Sequence, residues 1–177
     1  MPETKIIKDL GIAYKTEIRG YAFYSAASMV ASNDRGKNVF AHLAKEELDH
    51  IRVISAIVEA VKADGGWIGF DEALKRSVST GEGLPIFQGE NELISRLKKN
   101  PTDINAVNIA IENEDSAIEF YSRLLGEAGT AGEKVVLTRL LEMEKGHLKI
   151  LRWEVESLTK TGFWGDTMEF SVEMEKD

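Results

Sequence analysis

The sequence predicts an all-α protein: an antiparallel four-helix bundle with a long crossover between the second and third helices and an aromatic C-terminal tail. Three observations predict it. Four long segments carry apolar residues at alternating steps of three and four, the spacing of one helix face. A glycine-punctuated stretch, 64–102, separates the second segment from the third. Glu17, Tyr24, Glu47 and His50 recur 97 residues later as Glu114, Tyr121, Glu144 and His147.

The first helix is expected over about 5–32, with Ile6, Leu10, Ala13, Glu17, Tyr21, Tyr24 and Ser28 along one face. Asn33-Asp34-Arg35-Gly36 reads as a short turn, which makes the next helix an antiparallel neighbour. That second helix is expected over 37–63, through Val39, Leu43, Glu47, His50, Ile54, Ile57 and Val61, and Asp64-Gly65-Gly66 stops it. Gly65, Gly66, Gly69, Gly81, Gly83, Pro85 and Gly89 break up the crossover, leaving room for short helices at 71–78 and 91–98.

Pro101-Thr102-Asp103 opens the third helix, with Thr102 or Asp103 as its cap. It is expected over 103–127 with Ile104, Val107, Ile111, Glu114, Ile118, Tyr121 and Leu125 on one face. The fourth is expected over 131–160 through Val136, Leu140, Glu144, His147, Leu151, Val155 and Leu158, and Thr161-Gly162 ends it. The bundle thus spans 1–160, and 161–177 forms a tail. Phe163, Trp164, Met168 and Phe170 make that tail too apolar for a solvated terminus, so it is expected to pack on the bundle or on a second subunit.

Composition narrows the function. A net charge of −8 and a pI near 5.0 argue against nucleic acid as a partner, because phosphate binding needs a clustered basic surface. The absence of cysteine excludes disulfides, thiolate zinc sites, cysteine nucleophiles and iron–sulfur centres carried by this chain. No stretch approaches the ~18 apolar residues of a membrane span, and the polar start Met1-Pro2-Glu3-Thr4-Lys5 has no apolar signal core. A cytoplasmic protein is expected.

The repeat carries the chemistry, and it extends beyond its polar members. Ile12, Ala13, Phe23 and Ser25 recur as Ile109, Ala110, Phe120 and Ser122, and Val39 and Leu43 as Val136 and Leu140. Two hairpins related by an approximate two-fold axis would set the matched residues across from each other. Four glutamates inside apolar stripes would repel one another, and several would hold protons unless cations balanced them. Two divalent cations offset four carboxylates. In each Glu-x-x-His the two side chains lie on one helix face, about 60° apart, and can reach one metal or straddle two. Glu17, Glu47, His50, Glu114, Glu144 and His147 are therefore the candidate ligands. Carboxylate and imidazole donors without thiolate suit iron or manganese and admit zinc.

Tyr24 and Tyr121 lie two turns after Glu17 and Glu114 on the same face. Each is expected to hydrogen-bond a ligand carboxylate of the other hairpin. Glu46 aligns with Met143, which makes it a supporting or outward residue; Glu142 aligns with Lys45 and Glu112 with Lys15, so neither looks like a ligand. His42, aligned with Arg139, is expected at the surface.

These residues resemble the ferritin-like superfamily, and within it the di-iron domain of rubrerythrin-like proteins, over about residues 5–160. The resemblance implies two iron ions bridged by Glu47 and Glu144, with Glu17 and Glu114 as terminal ligands and His50 and His147 completing each iron. It implies reaction with hydrogen peroxide or dioxygen, an external electron-donor protein, and a homodimer. The sequence departs from rubrerythrins proper at two points. The cysteine-bearing rubredoxin-like domain is absent, and Ala117 stands where the family has an additional glutamate, with Gly20 at the matching position of the first hairpin. The leading expectation is a peroxide-reducing di-iron oxidoreductase. The alternatives are a ferroxidase or iron-handling protein with Fe(II) as substrate, and a metal-binding structural module without redox turnover.

Overall fold

The structure, a computed structural model, describes residues 5–63, 65–79 and 89–165. Among them are six helices and no strand: α1 (Lys5–Val30), α2 (Asp34–Lys62), α3 (Phe70–Ser79), α4 (Glu92–Lys99), α5 (Asp103–Glu127) and α6 (Ala131–Thr161). The two hairpins, α1 with α2 and α5 with α6, make the most extensive helix pairings.

Local chemistry sets most of the boundaries. Asn33 caps α2, its side-chain oxygen accepting from the Gly36 N–H at 3.0 Å. Helix α2 therefore begins at Asp34, three residues before the expected start, and the predicted four-residue turn is in part its first turn. Helix α1 ends at Val30 rather than Ser32, because the Ser32 N–H and hydroxyl turn away to donate to Asp103. Thr102 caps α5, and Thr130 with Glu133 forms a reciprocal capping box at the start of α6. Helix α6 closes on Gly162 in the left-handed conformation (φ 76°), a backbone state that glycine adopts without steric cost.

Two apolar clusters fill the bundle, one at each end. Leu10, Ile54, Ile57, Leu124, Leu137 and Leu140 lie in the first; Phe23, Phe40, Leu43, Val107, Ile109 and Leu151 lie in the second. Reading helices through these clusters gives their directions. Helix α2 finishes in the first cluster and α5 starts in the second, so both run the same way. The chain between them must return the length of the bundle, which a short loop cannot do.

The crossover is anchored at both ends. Ile68, Phe70 and Ala73 enter the first cluster, and Arg139 of α6 lies over the Phe70 ring at 4.0 Å while pairing with Asp71 at 2.8 Å. Leu93 and Leu97 of α4 enter the second cluster, and Asn91 donates from Nδ2 to the Arg19 carbonyl at 2.9 Å. The glycines at 81 and 83 and Pro85 lie outside the described residues.

Trp164 of the tail packs on this chain's own bundle. Its ring meets Phe40 edge-on at 5.5 Å, and its indole N–H donates to Asp103 at 2.8 Å. It rests on Gly36, where a Cβ would fall 2.5 Å from the indole, closer than any side chain is tolerated. Phe163 points outward, 70% exposed. The expectation for Met168 and Phe170 lies outside the described residues.

Candidate metal centre

The six candidate ligands converge between the two apolar clusters, two from each of α2 and α6 and one from each of α1 and α5. All are buried, none more than 3% exposed. They form two overlapping sets: Glu17, Glu47, His50 and Glu144 in one, and Glu47, Glu114, Glu144 and His147 in the other. Within each set, one ligand atom per residue lies within 4.8 Å of all the others.

The sharing is visible atom by atom. His50 Nδ1 is 3.5 Å from Glu17 Oε2, 3.6 Å from Glu47 Oε2 and 3.0 Å from Glu144 Oε1. His147 Nδ1 is 3.6 Å from Glu47 Oε1, 3.6 Å from Glu114 Oε2 and 3.2 Å from Glu144 Oε2. Glu47 and Glu144 thus turn one oxygen to each side, while Glu17 and Glu114 each serve one side. The two imidazoles stack at 5.5 Å with 19° between their planes. This is the relation that an approximate two-fold axis between the hairpins produces.

The donors fit a pair of divalent cations. Glu47 Oε2, Glu114 Oε2, both oxygens of Glu144, both nitrogens of His50 and His147 Nδ1 are buried without a hydrogen-bond partner, close as several of these atoms are. Buried polar atoms normally find partners, so seven orphans converging on one place mark ligand positions. Without a metal, the cluster must neutralise itself with protons. Burial, together with Glu17 and Glu144, pushes the Glu47 carboxyl well above its usual range. Burial, together with Glu144, raises Glu114 to about 8. Burial opposes charge on Glu144 too, but His50 and His147 outweigh it and hold that carboxyl low. Burial works against charge on both imidazoles, yet the surrounding carboxylates keep their pKa values well above the usual 6.5.

The two tyrosines tie the hairpins together at the site. Tyr24 donates from its hydroxyl to Glu114 Oε1, and Tyr121 donates to Glu17 Oε1. Burial and the adjacent carboxylates push both phenols well above 10.0, so they stay protonated as donors. Each carboxylate that serves a single side is thereby held at one oxygen by the opposite hairpin.

Three features of the site have weaker traces in the sequence. Glu46 turns inward rather than outward, its Oε2 lying 2.7 Å from His147 Nε2. Asn113, buried beside Glu114 in the chain, has an unpartnered Oδ1. Its repeat partner is Thr16, so the 97-residue repeat does not mark it. A Cβ on Gly20 would stand 3.5 Å from both Asn113 Nδ2 and the Glu47 carboxyl carbon, so a methyl fits there and a longer side chain would press on the ligand. His42 is half exposed, as expected, and its Nε2 lies 3.6 Å from Glu46 Oε1.

A family model described as rubrerythrin matches residues 8–155. The chain belongs to the rubrerythrin family. Comparison with curated proteins and with solved structures gives no match. The match covers all six ligand candidates and both tyrosines, and the all-helical architecture is that of a ferritin-like bundle. A rubrerythrin-family domain with a buried carboxylate–histidine cluster fits a di-iron site. No described helix is long and apolar enough to cross a membrane.

Proposed function

We propose that this rubrerythrin-family chain is a di-iron oxidoreductase that reduces hydrogen peroxide, re-reduced by a separate electron-donor protein. The observation that carries the dinuclear reading is the overlap of the two ligand sets at Glu47 and Glu144. Glu17 and His50 would complete one position, and Glu114 and His147 the other. Iron bound there would supply redox chemistry: two ferrous ions would give the two electrons that, with two protons, take one peroxide to two waters.

The chain's own residues supply the setting. Glu47 and Glu144 would hold the two positions at a common span; the tyrosines restrain Glu114 and Glu17 at Oε1, leaving Glu114 Oε2 unpartnered among the described residues and Glu17 Oε2 facing His50 Nδ1 at 3.5 Å. Apolar clusters on both sides exclude bulk water and strengthen every charge interaction inside. Gly20 lies against Glu47 and Asn113, and Ala117, its repeat partner, is likewise small and buried. No cysteine is present to relay electrons within the chain, which is why a separate donor is part of the reading.

The test is anaerobic loading with ferrous iron, followed by oxidation with peroxide or with dioxygen at a known iron-to-chain ratio. Oxidation of about two irons per chain, much faster with peroxide, supports the proposal. Faster reaction with dioxygen that continues as iron is added would replace it with the ferroxidase reading. Metal-dependent stabilisation without iron oxidation would replace it with a structural metal site.

A further inference from the structure

The approximate two-fold symmetry of the site fails at the outer nitrogens of the two imidazoles. His147 Nε2 meets Glu46 Oε2 at 2.7 Å, with that carboxylate side chain 27% exposed and the imidazole 1% exposed. The residue related to Glu46 by the repeat is Met143, a thioether packed against the first apolar cluster. A thioether cannot take Glu46's place as a charged acceptor. His50, the counterpart of His147, has no partner on Nε2 among the described residues, while its Nδ1 faces Glu144 Oε1 at 3.0 Å.

A carboxylate on the outer nitrogen of a ligating imidazole fixes its tautomer, locks the ring's orientation and raises its basicity. Rotation of the His147 ring would break the contact with Glu46, so the contact keeps Nδ1 turned toward Glu47, Glu114 and Glu144. On its outer nitrogen nothing comparable restrains His50 among the described residues; its ring is held by packing and by the carboxylates that face Nδ1.

We propose that Glu46 is a positioning residue that makes the two metal positions unequal, so that the Glu47, Glu114, Glu144 and His147 position holds its ion more tightly than the Glu17, Glu47, His50 and Glu144 position. The inference rests on the dinuclear reading above. Its consequence is an order of loading: the His147 side fills first and empties last.

Anaerobic calorimetric titration with ferrous iron tests this on the full chain. The intact protein binds two irons in unequal steps, and Glu114→Ala removes the tighter one, which assigns it to the His147 side. Glu46→Ala weakens that same step by about 10–100-fold and leaves the other in place. Glu46→Gln keeps an acceptor oxygen without the charge, so it retains most of the tighter step. Equal steps in the intact protein, equal weakening of both steps by Glu46→Ala, or no change on that substitution would each overturn the inference. So would Glu46→Gln behaving as Glu46→Ala, which would assign the effect to charge alone. Absence of iron binding by the intact protein would instead sink the dinuclear reading itself.

Discussion

The hydroxyl of Tyr24 donates to Glu114, which lies in the opposite hairpin, and Tyr121 returns the same bond to Glu17. Each carboxylate belongs to one of the two candidate ligand sets, and each is held by a residue from the other half of the repeat. These bonds couple the packing of the hairpins to the shape of the site.

Removing either phenol should therefore be felt in both. Tyr24→Phe leaves Glu114 Oε1 buried without its donor, at a cost of about 1–3 kcal/mol in the metal-free protein. Urea unfolding of the metal-free variant checks the stability term, and metal titration checks an accompanying loss of affinity. A Tyr24→Phe variant as stable as the parent would mean that water or another donor replaces the phenol.

Ligands that serve both sides should differ from those that serve one. Glu47→Ala or Glu144→Ala removes an oxygen from each position and is expected to abolish stable binding of both ions. Glu17→Ala should lose the His50-side ion and keep the other. Metal content per chain after gel filtration distinguishes these outcomes; retention of both ions by Glu47→Ala or Glu144→Ala would contradict the assignment.

Protons and metal compete for the same atoms. Glu114, raised from 4.5 to about 8 in the metal-free fold, binds its proton more tightly there than in the unfolded chain. Its contribution to metal-free stability is present in full below about pH 4.5 and is lost as pH rises through about 8. The raised His50 and His147 act in the same direction above their usual 6.5. Metal requires the deprotonated forms, so stabilisation by metal should grow from about pH 5 to about pH 8, and binding should release protons. Thermal melts with and without metal across that range, with proton release measured in weakly buffered solution, check the prediction. Metal-induced stabilisation that is flat with pH would argue that the cluster holds no displaceable protons.

The Trp164 latch should be structural and separate from the site. Trp164→Ala removes a buried indole from Phe40 and Gly36 and leaves Asp103 without its indole donor, costing about 3–5 kcal/mol. Denaturant unfolding checks the loss, and metal content should stay at the parental level. Loss of metal at full helicity would instead tie the tail to the centre.

Much of this centre was legible because duplication writes its ligands twice. The 97-residue offset brought out Glu17, Glu47, His50 and their partners, and the two-turn spacing put both tyrosines on the ligand stripe. The repeat carries no signal wherever the halves differ. Glu46 faces Met143 in the repeat and Asn113 faces Thr16, so symmetry drew attention away from the residues that make the site uneven. Glu154 was also unremarkable in the sequence; it is fully buried and accepts the Gly165 N–H at 2.8 Å, a contact that exists only once the tail folds back. The early start of α2 was hidden because Asn33-Asp34-Arg35-Gly36 is good turn chemistry and good capping chemistry at once.

If Glu47 and Glu144 are shared by both positions, the two metals sit side by side. X-ray absorption on the anaerobically iron-loaded protein tests it most directly. The expected result is about two irons per chain and iron–iron scattering at about 3.5–4 Å. Binding of a single iron, or two irons without any iron–iron scattering, would contradict it.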